Sequence, residues 1–345
     1  MQAAVFYGPE KISLERAACP QDRPSLKVSS CAVCGYDARV FRNGHRKVRP
    51  PVILGHEVCG VLTERVAMNH ETLPEGTRVA LCPIIPCLDC EYCRDGQYNM
   101  CADLKEVGST HDGGFAQYVS IPDQTLKIGG LVKVPDGMGD EEASLLEPLA
   151  CCINSLQQLG SLSDTRPVVI IGDGPVGLLH LQLFRNLGAR TVVVGKIPSR
   201  MQKARSIGAH AVFEYGDDAA AKVLDFAGSN SRIGTVVIAT SSPSAFSLVE
   251  KIAGKNSKVS LFAGMPTGQK LSFDANWLHY NQVSITGSFS SLPHTLKEAA
   301  WVAAEGIVDL SAIVSHRYSL DRIEEAINVT ENYVGLRAVI NRFEC

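Results

Sequence analysis

The sequence lacks the features of a membrane-embedded, exported or nucleic-acid-binding protein. No uninterrupted apolar run reaches the length of a membrane span, because the nearest candidate, 168–184, contains Asp173, His180 and four glycine or proline residues. The N-terminus has no basic segment and no small-residue cleavage site. Lys plus Arg number 33 and Asp plus Glu 36, and this net charge of −3 provides no general basic surface for nucleic acid or an anionic membrane. We therefore expect a cytoplasmic protein with no membrane or nucleic-acid partner.

Internal repeats and low-complexity tracts are also absent. The 345 residues are enough for two or three domains, and the 45% hydrophobic and 20% charged shares are those of an ordinary globular chain. Cysteine is unusual, since eight of the 12 cysteines fall between residues 31 and 101. In a reducing compartment clustered cysteines are more often metal ligands than disulfides, so zinc is the first hypothesis to consider.

The first 125 residues read as β-rich, because short strand-like runs are separated by glycine, proline and polar clusters. The predicted strands are Ala3–Phe6, Leu26–Val28, Val58–Glu64, Thr77–Leu81 and Phe115–Ile121. Residues 138–159 change to helical spacing, with an acidic first turn, and predict one helix despite Pro148.

From residue 168 onward, strands alternate with helices. The predicted strands are Val168–Ile171, Thr191–Val194, Ala211–Phe213, Thr235–Ile238, Lys258–Phe262 and Val283–Thr286, and the intervals hold helices at Gly177–Leu187, Ser199–Ile207, Ala219–Phe226 and Ala245–Ile252. This alternation predicts an α/β fold with one doubly wound parallel sheet. The remaining C-terminal residues are too few for a domain, so we expect them to return to the β-rich part. The predicted domains are 1–152 with 289–345, and 153–288.

Four cysteines form the pattern C-x2-C-x2-C-x7-C, which is typical of a structural zinc site. Two-residue gaps let consecutive thiolates face one ion, and four thiolates close its tetrahedral shell. An iron–sulfur loop is disfavoured by the final gap of seven and by the lack of a second cysteine set. The net charge, with Asp89 and Glu91 within the segment, disfavours a nucleic-acid zinc finger. The candidate ligands are Cys87, Cys90, Cys93 and Cys101.

A second candidate metal site joins residues far apart in the chain. Cys34 lies in CGYD, His56 in GHEVCG and Glu147 in LEPLA. Thiolate, imidazole and carboxylate are ligands of an open catalytic zinc, which keeps one position for substrate or water. Taken singly, each residue also has an ordinary structural explanation, and spacing alone does not join them.

The glycine run GDGPVG at 172–177 follows a predicted strand directly and opens a predicted helix. In that context it indicates dinucleotide binding, because the glycines allow a tight turn and the helix N-terminus offers amide donors to a pyrophosphate. The glycine-turn residues are Gly172, Gly174, Pro175, Val176 and Gly177.

The end of the second strand of this sheet distinguishes NAD from NADP. A carboxylate there would accept a hydrogen bond from the ribose 2′-hydroxyl, whereas a 2′-phosphate needs a cation. The expected acidic position is Gly195, and Lys196 and Arg200 follow it. The sequence therefore favours NADP over NAD.

These motifs occur together in one known family. CGYD, GHEVCG, the four-cysteine segment, DGGFAQY (112–118), LEPLA and GDGPVG have the order and spacing of zinc-dependent medium-chain dehydrogenases, which the chain resembles over nearly its whole length. It looks most like the sorbitol/polyol, threonine and sugar-phosphate dehydrogenase branch. The resemblance implies a GroES-like catalytic domain interrupted by a Rossmann domain, two zinc ions per chain and a homo-oligomer, either a dimer or a tetramer.

Site roles carried over from the family begin with the catalytic zinc. The resemblance implies that Cys34, His56 and Glu147 bind it, with Glu57 as an alternate or outer-sphere partner. Asp37 would contact the zinc ligands without binding the zinc itself, and would hold them in position.

For the cofactor, the family implies that Arg337 contacts the pyrophosphate. Gly195 and Lys196, with Tyr215 twenty residues later, resemble the residues around the 2′-phosphate in bacterial NADP-dependent secondary alcohol dehydrogenases.

One position departs from the family pattern. Tyr36 stands where a serine or threonine normally relays the substrate proton. The phenol either relays the proton, fills part of the substrate pocket or leaves the relay absent.

We predict a zinc-dependent dehydrogenase of an alcohol, polyol or sugar-derived substrate. The rivals are a reductase of an activated alkene or iminium with an altered proton relay, and a non-catalytic dinucleotide-binding protein.

Overall fold

The computed structural model describes residues 1–21, 23–69, 71–162, 166–228, 233–266 and 268–344. The chain separates into two compact units, Met1–Ala150 with Ser290–Cys345, and Cys151–Phe289. The boundaries predicted from the sequence differ from these by one or two residues. None of the described helices is long and apolar enough to cross a bilayer.

The described residues up to 159 form mainly short strands. These are β1 (Gln2–Gly8), β2 (Lys11–Arg16), β3 (Ser25–Val33), β4 (Val52–Ile53), β5 (Glu57–Leu62), β6 (Val66–Met68), β7 (Glu71–Leu73), β8 (Arg78–Leu81), β9 (Ile84–Ile85), β10 (Lys105–Glu106), β11 (Tyr118–Ser120) and β12 (Leu131–Lys133). The helices are α1 (Gly35–Asn43), α2 (Glu91–Arg94), α3 (Asp123–Lys127), α4 (Asp140–Ser144) and α5 (Leu146–Leu159).

Strands and helices then alternate through the second unit. The strands are β13 (Val168–Ile171), β14 (Thr191–Gly195), β15 (Ala211–Glu214), β16 (Ile233–Ile238), β17 (Ala253–Leu261) and β18 (Ser284–Gly287), and the helices are α6 (Pro175–Asn186), α7 (Pro198–Ile207), α8 (Ala219–Ala227), α9 (Ser244–Ile252) and α10 (Ala275–Asn281). The C-terminal segment adds α11 (Pro293–Ala304), β19 (Val314–Ser319), α12 (Ile323–Glu331) and β20 (Arg337–Arg342).

The first unit is built around a mixed sheet that both ends of the chain share. Its strand order is β12-β8-β5-β3-β20-β19, and β11 also pairs with β3. β20 lies antiparallel to β3, with Ala338 opposite Val33. The buried core under this sheet includes Phe6, Leu26 and Phe115. The last strand therefore completes the sheet that begins near the N-terminus.

The second unit contains a six-stranded sheet in the order β15-β14-β13-β16-β17-β18. Every neighbouring pair is parallel. The central strand β13 reads VVII and is buried along its whole length, because helices cover both faces of such a sheet. The prediction of a doubly wound parallel sheet is confirmed.

Several predicted elements differ in extent, and two of these differences have a clear physical cause. The strand expected at Phe115–Ile121 is only Tyr118–Ser120. The backbone of Phe115 instead bonds to two other segments: its amide donates to the Leu54 carbonyl, just after β4, at 3.0 Å, and its carbonyl accepts from the Ala4 amide of β1 at 2.8 Å. The full burial of its ring explains the apolar pattern that suggested a longer strand.

The helix expected at 138–159 is two helices, α4 and α5. Pro148 has no amide hydrogen to donate to the carbonyl of Ser144, so a single continuous helix would lose a bond there. With the break at Leu145, Pro148 lies in the first turn of α5, where amides have no intrahelical partner. The break therefore removes the cost of the proline.

Three glycine-containing turns meet where β5 begins. A Cβ built on Gly113 would lie 2.2 Å from the carbonyl oxygen of Gly55 and 2.6 Å from Cα of Gly108. Gly114 donates its amide to the same Gly55 carbonyl at 2.8 Å. Since His56 follows Gly55 directly, this close backbone packing fixes the position of the histidine.

Replacing Gly113 with alanine tests this packing. We expect Gly113→Ala to lower the free energy of unfolding by about 1–3 kcal/mol, because backbone atoms must move to admit the methyl group. Gly264→Ala is the control, since a Cβ there meets no atom within 4 Å. Thermal unfolding of both variants checks the prediction, and equal melting temperatures would contradict it.

Candidate active site

The four cysteines of the C-x2-C-x2-C-x7-C segment lie together in the structure. Their sulfur atoms are all within 4.8 Å of one another. The Cys93 sulfur is 3.5 Å from that of Cys90 and 3.9 Å from that of Cys87. Four sulfurs at about 2.3 Å from a zinc ion would be about 3.8 Å apart, so the spacing fits a tetrahedral zinc site.

Local backbone geometry prepares this segment for a cation. Cys90 is the N-cap residue of α2, and Cys101 follows a short 3-10 helix at Tyr98–Met100. Backbone hydrogen bonds from Ala102 and Cys93 lower the pKa of the Cys90 thiol to about 6. Burial raises the pKa of the Cys93 thiol to about 12. A bound cation would favour the thiolate form at every position, which is the form that ligates metal.

A second group joins Cys34, His56 and Glu57, whose ligand atoms lie within 4.8 Å of one another. Cys34 is the N-cap residue of α1, and Glu57 is the first residue of β5. A turn and a strand start thus present a thiol, an imidazole and a carboxylate to one point. These are donor types that an open zinc site uses.

Asp37 holds two members of this group in place. Its Oδ2 accepts the backbone amide of Cys34 at 2.9 Å, and its Oδ1 lies 3.5 Å from Nδ1 of His56. Burial alone would lower the pKa of His56, but the Asp37 carboxylate raises it well above the ordinary value. With Nδ1 facing Asp37, Nε2 is the nitrogen left for a metal, as in other carboxylate–histidine–metal arrangements.

Glu57 is a buried carboxylate, and neither of its oxygens has a hydrogen-bond partner among the described residues. Arg337, itself buried, lies 3.3 Å from Oε1 and donates to the Val33 carbonyl at 3.1 Å. Burial raises the pKa of Glu57 to about 7, and the Arg337 guanidinium counteracts that rise. A buried carboxylate that accepts no hydrogen bond and lies beside a thiol and an imidazole fits a metal ion.

Glu147, the carboxylate expected from the sequence, lies outside the 4.8 Å group within the described part of the chain. It is buried in the first turn of α5, and its Oε1 accepts a hydrogen bond from Ser291 at 2.7 Å. Its charge contributes to the raised pKa of Glu57, so the two carboxylates face the same region. The structure thus joins Cys34 and His56 to the expected alternate, Glu57.

Tyr36 lies beside the group, with its ring 5.8 Å from the His56 ring and edge-on to it. Its hydroxyl is 3.1 Å from Oγ of Ser109 and 3.2 Å from Nδ1 of the exposed His45. Burial raises the pKa of the Tyr36 phenol, and the hydrogen bond with Ser109 lowers it. The phenol therefore has partners on two neighbouring loops.

In the second unit, the glycine run forms the expected turn between β13 and α6. Gly172 has φ +124°, and a Cβ on Gly177 would lie 2.1 Å from the Gly172 carbonyl oxygen. Gly174 is the N-cap residue, and Pro175 and Val176 begin the helix. Close strand–helix packing and an open helix N-terminus are what a pyrophosphate site requires.

The cations expected near the cofactor lie at the start of α7. Nζ of Lys196 is 4.7 Å from the centre of the Tyr215 ring, and the Tyr215 hydroxyl donates to the Ser244 carbonyl at 2.7 Å. Arg200 is buried, and its guanidinium lies 3.8 Å from the position of a Cβ on Gly174. Lys196 therefore lies at the end of β14, and Arg200 lies near the glycine turn.

Several contacts of the site have no signal in the sequence. Ser109 and His45 at Tyr36, and Ser291 at Glu147, come from distant segments that no local motif marks. Arg337 is recognisable by family resemblance, but its pairing with Glu57 is not. Its contact with the cofactor pyrophosphate stays a prediction.

Comparison with known families links this geometry to a chemistry. Residues 21–136 match the alcohol dehydrogenase GroES-like domain, and residues 175–305 match the zinc-binding dehydrogenase model. The chain belongs to the zinc-dependent medium-chain dehydrogenase family. The dehydrogenase is thus an oxidoreductase of a zinc- and nicotinamide-dependent family, and the fold class and family predicted from the sequence are confirmed.

Relatives of the dehydrogenase span its whole length. It is 28% identical to D-arabitol-phosphate dehydrogenase of Enterococcus avium, over 92% of this chain and 89% of that protein. It is 27% identical to sorbitol dehydrogenase of Bacillus subtilis, over 95% and 92%. A Sinorhizobium meliloti protein described as a zinc-binding dehydrogenase, solved bound to NADP, is 26% identical with a TM-score of 0.88, over 99% of this chain and 98% of that one.

The cysteine segment is tested by Cys90→Ser. We expect this variant to lose one zinc ion per chain and much thermal stability, because thiolate zinc sites contribute about 10–16 kcal/mol of apparent binding energy in small peptides. Cys19→Ser is the control, since Cys19 is an exposed cysteine outside both groups. Elemental analysis and thermal unfolding measure both effects, and an unchanged zinc content in Cys90→Ser would refute a structural zinc site.

The two carboxylates are tested by Glu57→Gln and Glu147→Gln, which keep the side-chain shape. We expect Glu57→Gln to lower zinc affinity more, because Glu57 lies within the 4.8 Å group while Glu147 is bonded to Ser291. Competition with a chelator measures zinc affinity in each variant. A larger loss in Glu147→Gln would assign the metal carboxylate to Glu147 and make Glu57 the supporting residue.

Proposed function

We propose that the dehydrogenase transfers a hydride between NADP(H) and the hydroxyl-bearing carbon of an alcohol, polyol or sugar-derived substrate. The observation that carries the proposal is the group of Cys34, His56 and Glu57, whose buried carboxylate oxygens accept no hydrogen bond among the described residues. Substrates in the names of the relatives, D-arabitol phosphate and sorbitol, support a polyol.

Cys34, His56 and Glu57 would hold the catalytic zinc, with Glu147 as a further or alternate ligand. When bound, zinc acts as a Lewis acid toward a substrate oxygen and lowers the pKa of its hydroxyl group. The second zinc of each chain would lie among the four clustered cysteines and stabilise their loop.

The surrounding residues set the charge and orientation of the ligands. Asp37 orients Cys34 through its amide and His56 through Nδ1. Arg337 offsets the carboxylate charge of Glu57 in a region with little water. Such preorganised charges need no rearrangement during the reaction.

We also propose that Tyr36 carries the substrate proton away from the site. Its hydroxyl is bonded toward Ser109 and toward His45, which is exposed and can pass a proton to solvent. A phenol with two such partners suits the relay role better than the space-filling role.

The preference for NADP rests on the residues at the end of β14. Gly195 supplies no carboxylate to the ribose, while Lys196 and Arg200 supply positive charge, and Tyr215 holds the lysine. A 2′-phosphate gains charge-assisted hydrogen bonds from such cations. The NADP bound to the Sinorhizobium meliloti relative agrees with this choice.

The proposal also covers assembly and location. The dehydrogenase would form a homo-oligomer, either a dimer or a tetramer, and would act in the cytoplasm. β18 is an edge strand of its sheet, and the side chains of Tyr280 and Phe289 next to it are 73% and 46% exposed. Edge strands flanked by exposed aromatic residues are suited to pairing with another copy of a chain.

A substrate panel tests the function. Polyols, sugar phosphates, secondary alcohols and activated alkenes are assayed with NADP(H) and NAD(H), and we expect polyol turnover with kcat/KM about ten- to a hundredfold higher with NADP.

Two variants test the residues of the site. His56→Ala should abolish turnover but retain dinucleotide binding, and Tyr36→Phe should slow turnover at unchanged zinc content. Alkene reduction without alcohol turnover, or full activity in zinc-free His56→Ala, would overturn the proposal.

A further inference from the structure

A carboxylate lies inside the glycine turn at the position next to β14. Asp173 is the second residue of GDGPVG and is only 6% exposed. Its Oδ2 accepts the backbone amides of Lys196 and Ile197, both at 2.8 Å. These two amides form the connection between β14 and α7, so Asp173 joins the glycine turn to the loop that carries Lys196.

The same oxygen fills the space that a side chain at position 195 would need. A Cβ built on Gly195 would lie 2.4 Å from Oδ2 of Asp173 and 2.7 Å from its Cβ. The backbone of Gly195 cannot move away easily, because the residue is in register with Glu214 of β15 and its carbonyl accepts the Tyr215 amide at 2.7 Å. Asp173 therefore requires glycine at position 195.

This exclusion bears on cofactor choice. Position 195 is where dinucleotide-binding sheets carry the carboxylate that bonds the ribose 2′-hydroxyl. Here that carboxylate is sterically excluded, and Oδ2 of Asp173 is bonded to two protein amides. Lys196 is held at both ends, at its amide by Asp173 and at its ammonium by the Tyr215 ring. The loop after β14 is therefore fixed in a form that presents the Lys196 ammonium and has no carboxylate at position 195.

We propose that Asp173 is a positioning residue that sets cofactor specificity. It fixes the 196–197 backbone so that Lys196 faces the 2′-phosphate of NADP, and its volume excludes an acidic residue from position 195. The inference rests on the proposed NADP preference, but its steric part can be tested independently of that preference.

The positioning role is tested with Asp173→Ala and Asp173→Asn, by measuring the dissociation constants of NADP and NAD. We expect Asp173→Ala to lower the NADP/NAD affinity ratio about tenfold, because the loop loses its two hydrogen bonds. Asp173→Asn keeps an acceptor oxygen and should keep the ratio or raise it. Asp225→Ala is the control, since it removes an exposed carboxylate from α8 of the same unit and should not change the ratio.

The steric role is tested with Gly195→Asp alone and combined with Asp173→Ala. We expect Gly195→Asp alone to lower the melting temperature by several degrees and to weaken the binding of both cofactors. The double variant should regain most of that stability and prefer NAD about tenfold, because the new carboxylate then has room to reach the ribose.

Three results would overturn the inference: an unchanged affinity ratio in Asp173→Ala, equal losses in Asp173→Ala and Asp173→Asn, or a Gly195→Asp variant as stable as the wild type. A wild-type preference for NAD would refute the proposed cofactor instead. The stability coupling between positions 173 and 195 would then still decide the steric part, because it is measured without cofactor.

Discussion

The full burial of Glu57 is the constraint on which the first unit depends. A carboxylate without solvent needs positive charge nearby, and the Arg337 guanidinium supplies part of it at 3.3 Å. That arginine begins β20, the strand that pairs with β3 and places the end of the chain in the N-terminal sheet. The pairing of β20 with β3 therefore brings the guanidinium to the buried carboxylate, so the sheet and the candidate metal-binding group are linked through this contact.

The second unit uses a carboxylate in the opposite way. Oδ2 of Asp173 accepts two backbone amides of the protein, so the carboxylate contributes shape and rigidity to the loop. A buried carboxylate without hydrogen-bond donors favours a ligand beside it, whereas one held by backbone amides favours a fixed loop. The two residue environments explain why Glu57 suits metal binding and Asp173 suits positioning.

Much of the fold was predictable, because strands buried on both faces read as continuous apolar runs, and β13 matches its predicted bounds. The strand predicted at Phe115 was too long, because the ring of this residue is buried in the core while its backbone bonds to Leu54 and to Ala4 of β1 and lies outside β11. The candidate metal-binding group was predictable in part. Cys34 and His56 follow from family motifs, but whether Glu57 or Glu147 approaches them depends on packing between distant segments, for which no local pattern exists.

The pairing of β20 with β3 also has a consequence for biosynthesis. Cys34, His56 and Glu57 are synthesised early in translation, whereas Arg337 is added only when translation is almost complete. Until Arg337 has been synthesised, the Glu57 carboxylate lacks the guanidinium that lies beside it in the folded protein, and β3 lacks its neighbouring strand β20. The second unit is continuous in sequence, from Cys151 to Phe289, so it can fold while the first is still waiting for its last strand. The surroundings of the candidate metal-binding group are therefore complete only after β20 has been synthesised and has paired with β3.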